Sequence, residues 1–366
     1  MLRYARQTIL PELGIEGQKL LREASVLCIG AGGLGSPTLM YLAAAGIGRI
    51  GMVDDDVVDI SNLQRQILFK DSDQGESKAI TGGATLAALN SECQIEPYHI
   101  RFTAENAESL LTNYDIVIDG TDNFSSKFLI NDACVKFGKP LVYASILGFE
   151  AQVSVFWAGH GACYRCLYPK PPSGHIPNCA EAGVIGAMAG IAGTVQALEV
   201  IKMTLGIAWC EEKNLEPLLS KLWVLDARTM QTKTLNIHKR RGCSVCAGDP
   251  NDIVLEDLHK VCAAGSGVQN ISVEDAAKMV GKAVFIDVRE AHELASGKVC
   301  GALHIPLGTL LRDEDAIIAI TPDAPVIIYC QQGMRSFSAA SHLVALGFTN
   351  VAHITGGITH WKGEFA

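Results

Sequence analysis

The chain has 366 residues, 48% hydrophobic and 19% charged, with a net charge of −9 at pH 7. That length can hold two or three domains with real cores, and the composition is globular, not disordered. No long Lys/Arg block offsets the acidic balance, so nucleic acid is not expected as a direct partner. No apolar stretch reaches transmembrane length and no charged-then-apolar leader is present, so the expectation is a cytoplasmic protein with no membrane partner.

In chain order, Arg3 and Arg6 precede a helix expected over 14–24. A short apolar strand from Val26 to Ile29 then ends in Gly30, Gly32 and Gly35, spaced G-x-G-x-x-G, and a helix is expected over 38–45. Glycines here permit a sharp turn and bring main-chain N–H groups and a helix dipole to a phosphate. A second strand over 50–53 runs into Asp54, 24 residues after Gly30, where a Rossmann fold places the acid that holds a ribose hydroxyl. Asp55 and Asp56 follow, then Ser61-Asn62-Leu63-Gln64-Arg65-Gln66. Three acids in a row beside phosphates need a metal or a base, and Arg65 and Lys78 are the nearest cations. Another helix ends over 85–90, and further strands are expected over 94–99 and 114–119. Asp122 and Asn123 fall beyond the carboxyl end of the latter strand, at the rim where open α/β sheets bind ligands. There Asp122 is a plausible magnesium ligand. A helix over 126–137 and a strand over 140–145 complete this part.

Among the twelve cysteines, Cys28, Cys93, Cys134 and Cys210 sit in apolar or helical surroundings and read as packing. Cys163-x-x-Cys166 and Cys243-x-x-Cys246 are two pairs that together make a closed tetrahedral zinc site. Between them, a proline-rich stretch leads to Cys179, a loop thiol able to carry an acyl or sulfur adduct. A helix of small residues over 183–206 contains Gln196, Glu199 and Lys202, which argue against a membrane dimer. Strands over 222–226 and 234–237 follow, expected to be antiparallel. The pattern breaks down over 247–270, read as a flexible tether. It restarts with a helix capped by Ser272, a strand entering Asp287-Val288-Arg289-Glu290, and a strand entering Cys330-Gln331-Gln332-Gly333-Met334-Arg335-Ser336. A loop whose N–H groups turn inward ahead of a helix favours a thiolate. Cysteine phosphatases separate Cys and Arg by five residues; here there are four, a smaller ring suited to a single sulfur atom.

The stretches GAGGLGSP, VDDDVVDISNLQRQ, TDNFSSKFLIND and CAEAGVIGAMAGIAGTVQALEVIK resemble the MoeB/ThiF family, adenylyltransferases related to ubiquitin-activating enzymes. The resemblance covers residues 1–248. It implies a Rossmann-like domain with a mixed sheet and ATP bound by Gly33, Asp54, Ser61, Asn62, Leu63, Gln64, Arg65, Lys78, Asp122 and Asn123, with Mg2+ on Asp122. It also implies structural zinc, a catalytic thiol at Cys179, and a homodimer in which Arg6 reaches the neighbouring subunit's ATP. Residues 271–366 resemble a rhodanese domain, a small α/β unit in which Cys330 carries a persulfide; 249–270 is then the linker. Together these imply adenylation of the C-terminal glycine of a small ubiquitin-like sulfur carrier protein ending in Gly-Gly, then sulfur transfer to form a thiocarboxylate. Molybdenum cofactor and thiamine biosynthesis both use such carriers. The sulfur donor stays open between a cysteine desulfurase and thiosulfate. The chemistry brings two anions together, so cations (Arg6, Arg65, Lys78) and a metal are needed more than a base. An NAD-dependent oxidoreductase and a non-catalytic scaffold for a ubiquitin-like protein are the rival readings.

Overall fold

The computed structural model describes residues 2–171, 183–257, 268–331, 333–358 and 361. They form two compact units, one from the residues up to 257 and one from 268 onward. The first unit begins with α1 (Ala5–Thr8), α2 (Gly14–Glu23), β1 (Ser25–Ile29), α3 (Gly35–Ala45) and β2 (Arg49–Val53). It continues through α4 (Lys78–Leu89), β3 (Gln94–Tyr98), α5 (Ala107–Leu111), β4 (Ile116–Asp119), α6 (Phe124–Lys136), β5 (Leu141–Leu147) and β6 (Glu150–Phe156). Last come α7 (Tyr164–Leu167), α8 (Gly186–Leu205), α9 (Ile207–Glu212), β7 (Lys221–Asp226) and β8 (Gln231–Asn236).

The eight strands form one mixed sheet in the order β3-β2-β1-β4-β5-β6-β7-β8. Pairings from β3 to β5 are parallel, and those from β5 to β8 are antiparallel. Strand order reverses between β1 and β4, so the glycine loop leaving β1 lies at the switch point of the sheet. All five residues of β1 are buried, as a strand covered on both faces requires. The expected antiparallel pair is present as β7 and β8. One strand, β6, was not anticipated. It closes a hairpin with β5 through Gly148, at φ +58°, and Phe149.

Gln196 and Glu199 of α8 are buried and bonded. Gln196 donates to the carbonyls of Asp119 (2.8 Å) and Val142 (2.9 Å), and Glu199 accepts from the Leu218 N–H (2.7 Å). Helix α8 thus ties the end of β4 to the start of β5. Among the described residues, no helix is long and apolar enough to cross a membrane.

The stretch read as a tether departs from that reading at both ends. Lys136 donates to the Ile253 carbonyl (2.6 Å), and the Asp257 carboxylate accepts from the Ala104 N–H (3.1 Å), so 250–257 is held on the first unit. At the other end, Gln269–Ile271 is a strand, β9, of the second unit. Residues 258–267 lie outside the described residues.

The second unit continues with α10 (Val273–Ala277), β10 (Val284–Asp287), β11 (Leu303–His304), α11 (Leu307–Leu310), β12 (Val326–Tyr329), α12 (Met334–Ala345) and β13 (Val351–Ile354). Its sheet is wholly parallel, in the order β11-β10-β12-β13-β9. Ser272 caps α10 as expected, accepting from the Asp275 N–H. The central strand β12 is buried along its length and delivers Cys330 at its carboxyl end.

Candidate active sites

The glycine loop is shaped by backbone crowding. A Cβ on Gly35 would stand 2.1 Å from the Gly30 carbonyl oxygen, and Gly30 itself adopts φ +94° against Gly120 at the tip of β4. No other residue fits either position. The helix therefore starts inside the motif, at Gly35, three residues earlier than expected, and its first turn faces the loop.

Asp54 closes this loop from below. Its carboxylate accepts from the N–H groups of Ala31 (2.8 Å) and Asp56 (2.9 Å). Burial raises its pKa, opposed by the charge of Lys78 and by those two N–H groups. Lys78 is buried and pairs with Asp56 at 2.6 Å, so one of the three consecutive acids is neutralised by the base expected to do so. The Arg65 side chain lies over Gly33, where a Cβ would be 3.3 Å from its stem, and its guanidinium donates to the Ser61 carbonyl (3.2 Å). Ser61 donates to Asp59 (2.5 Å), and Asn62 accepts from Gln66 (2.8 Å). Leu63 backs onto the core, while the Gln64 carbonyl lies against Gly186 of α8. Gln66 borders Gly32, and its Oε1 is buried with no hydrogen-bond partner among the described residues.

At the tip of β4, Asn123 caps α6 by accepting from the Ser126 N–H (2.9 Å), and Asp122 is exposed beside it. Arg6 stands exposed on α1. Cys179 lies outside the described residues. Sequence reasoning missed the buried pair beneath this rim. Lys127 donates to Asp119 (2.9 Å) and to the Ala144 carbonyl (2.9 Å), with both side chains under 5% exposed. A lysine on an otherwise buried face of α6 was the available signal.

The two cysteine pairs converge. Sulfur separations are 3.9 Å (Cys163–Cys166), 3.6 Å (Cys163–Cys243) and 3.5 Å (Cys166–Cys246), and all four sulfurs lie within 4.8 Å of one another. Four sulfurs at about 2.3 Å from one tetrahedral ion stand about 3.8 Å apart, so the cluster has the dimensions of a zinc site. Burial and then the neighbouring thiols push the Cys246 thiol up to about 12 and raise Cys163 as well, whereas backbone N–H groups, against the cost of burial, hold Cys243 below its ordinary value. A divalent ion reverses that balance. The cysteines read as packing, Cys28, Cys93, Cys134 and Cys210, are all buried.

In the second unit Cys330 is buried, and its sulfur accepts from the N–H groups of Gly333 (3.1 Å) and Ser336 (3.4 Å). The loop thus presents inward-pointing dipoles, as its sequence implied. The guanidinium of Arg335 turns to Glu293 in a bidentate pair at 2.5 and 2.6 Å. Behind the loop, His353 contacts Ser336 (3.3 Å) and Asn270 (2.8 Å), and burial pushes its pKa down to about 4.

Fold and sites define a nucleotide-binding α/β domain followed by a small parallel α/β unit built around a thiol. A ThiF family model matches residues 4–245 and a rhodanese-like domain model matches residues 272–364. The probable adenylyltransferase/sulfurtransferase MoeZ of Mycobacterium tuberculosis is 40% identical over 99% of this chain and 93% of its own. The adenylyltransferase and sulfurtransferase MOCS3 of Sus scrofa is 36% identical over 100% of this chain and 86% of its own. A sulfur carrier protein adenylyltransferase of Thermus thermophilus is 45% identical over 71% of this chain and 96% of its own. The crystal structure of E. coli MccB with ATP shares the fold, with a TM-score of 0.58, 23% identity, and coverage of 67% of this chain and 75% of that one. The chain belongs to the ThiF family and carries a C-terminal rhodanese-like domain. As such it is an ATP-using adenylyltransferase joined to a sulfurtransferase domain.

Proposed function

We propose that the enzyme adenylates the C-terminal glycine of a small ubiquitin-like sulfur carrier protein ending in Gly-Gly, and that Cys330 then supplies sulfur to give a thiocarboxylate. The observation that carries this reading is the pairing, in one chain, of a glycine cradle flanked by Lys78 and Arg65 with a thiol held by loop amides. In the first step a carboxylate oxygen attacks the α-phosphorus, the bond to the bridging oxygen breaks, and pyrophosphate leaves. Lys78 and Arg65 balance phosphate charge at the cradle, Asp54 fixes the loop, and Asn123 sets the start of α6. Ser61, Asn62, Leu63 and Gln64 are proposed to complete the ATP contacts beside Arg65, and the unpartnered Gln66 oxygen suits a ligand's donor. Asp122 is positioned to hold Mg2+, which would offset phosphate charge when bound. Arg6 acts in the partner subunit's site of a homodimer, which suits its exposure.

Zinc in the four-cysteine cluster is structural, since four protein ligands leave no open position. In the second step the outer sulfur of the Cys330 persulfide attacks the acyl carbon and AMP leaves, forming an acyl disulfide. A relay thiol, for which Cys179 is proposed, then attacks the Cys330 sulfur, the thiocarboxylate leaves with the electron pair, and an external thiol reduces the disulfide that remains. Such carriers serve molybdenum cofactor, thiamine, cysteine or tRNA sulfur pathways, and the cytoplasm is the compartment proposed. A nicotinamide-dependent reaction is disfavoured because the Ser61–Arg65 run and Lys78 bring cations to the cradle that a triphosphate needs more than a dinucleotide does.

Cys330→Ala tests the division of labour. The variant is expected to keep ATP–pyrophosphate exchange within about twofold, because the change lies outside the nucleotide site, and to lose thiocarboxylate formation. Normal thiocarboxylation by this variant, with no other sulfurtransferase present, would reject it.

A further inference from the structure

The loop that carries Cys330 contains one arginine, and its charge is already matched. Arg335 gives both terminal nitrogens to the two oxygens of Glu293, with the side chains only 13% and 19% exposed. Glu293 is itself fixed, because it also accepts from the Glu290 N–H at 2.8 Å, within the short turn Ala291–Ser296. The other nearby arginine, Arg289, is 1% exposed and engaged with Asp287 at 2.7 to 3.1 Å. The Cys330 sulfur is therefore met by the dipoles of Gly333 and Ser336, while the loop's cation is neutralised by a carboxylate.

This arrangement discriminates between sulfur donors. Thiosulfate arrives as a dianion and releases sulfite, so its transfer needs cations that are not already paired. The reacting group of a persulfide R–S–SH brings one sulfur and at most one charge. The Cys330 thiolate attacks its outer sulfur, a new S–S bond forms, the old one breaks, and R–S⁻ leaves with the electron pair; the transferred sulfur keeps its proton. No oxidant or reductant is consumed.

We propose that Glu293 sets donor selectivity: by holding Arg335 in a bidentate pair, it directs Cys330 to accept sulfur from a cysteine-type persulfide in preference to thiosulfate. This rests on the reading of Cys330 as the sulfur-bearing thiol. Glu293 is a positioning residue, acting through Arg335.

The test uses the full chain, with thiosulfate or glutathione persulfide as donor and cyanide as acceptor. Wild type is expected to show the higher kcat/KM with the persulfide. Glu293→Gln should raise kcat/KM for thiosulfate at least about tenfold, the scale of one hydrogen-bonded charge contact, with little change for the persulfide. Glu293→Gln combined with Arg335→Gln should remove that gain. A parallel change for both donors would mark the pair as merely structural and overturn the proposal, as would an unchanged thiosulfate value. Should Glu293→Gln fail to fold, the salt dependence of the wild type decides. A shallow dependence of thiosulfate kcat/KM supports the matched pair, and a steep fall reveals an unmatched cation. Intact mass separates the two readings: if Cys330 gains no sulfur from either donor, the carrier role itself fails, whereas equal loading from both overturns donor selection alone.

Discussion

At the scale of single residues, the glycine loop proposed for adenylation depends on groups whose conformations are over-determined. Gly35 is fixed by the 2.1 Å that a Cβ would leave to the Gly30 oxygen, and Asp54 by two N–H donors. The strongest residue-level commitment is the Lys127–Asp119 pair, since both side chains are less than 5% exposed and Asp119 lies at the tip of β4 beside the glycine loop. Lys127→Met would leave a buried carboxylate without its cation, which costs about 3–5 kcal/mol. Chemical denaturation should show that loss in the first unit, and a change below about 1 kcal/mol would mean that Asp119 finds another partner or a proton. The glycine motif, Asp54 and Lys78 were legible in the sequence because each is placed by local order along the chain. Lys127 was not, because what buries it is the packing of α6 against β5. Glu293 escaped notice for a similar reason: Arg335 lies 42 residues away along the chain and is brought to it only by the fold.

Among elements, existence and order were easier to read than boundaries. Apolar runs marked β1, β2, β4 and β12, since strands buried on both faces are continuous hydrophobic segments. β6 was overlooked because its Glu150 and Gln152 interrupt the apolar pattern and only a two-residue turn separates it from β5. The tether was overestimated because polar, glycine-bearing sequence carries no signal for the bonds that Lys136 and Ala104 make to it. Strand β13 carries a titratable group with a calculable consequence. His353 sits against Ser336, Asn270 and the edge of Phe337, and its folded pKa of about 4 lies below the ordinary 6.5. The unfolded chain therefore binds the extra proton between those values. The contribution is fully present above about pH 6.5 and is lost as pH falls toward about 4. Calorimetry of the second unit's transition in the full chain should show its melting temperature falling across that window. In His353→Asn, which has no imidazole to protonate, the slope should be flatter. Equal slopes would contradict a buried neutral histidine.

For the whole molecule, the proposed economy is that one chain makes an activated acyl group and carries the sulfur that consumes it. Covalent connection in one chain raises the effective concentration of the second thiol, which for short linkers in general is of roughly millimolar order. An acyl-adenylate hydrolyses in water, so a nearby sulfur nucleophile limits its loss. The two chemistries remain separable, because the nucleotide cradle is built within the first unit and the Cys330 loop within the second. The most direct measurement is the intact mass of a Gly-Gly-ending carrier incubated with this enzyme, ATP and magnesium, before and after a persulfide donor is added. The account predicts an AMP adduct first, then a carrier in which one C-terminal oxygen is replaced by sulfur. A carrier of unchanged mass under both conditions, with the enzyme binding NAD in preference to ATP, would contradict it.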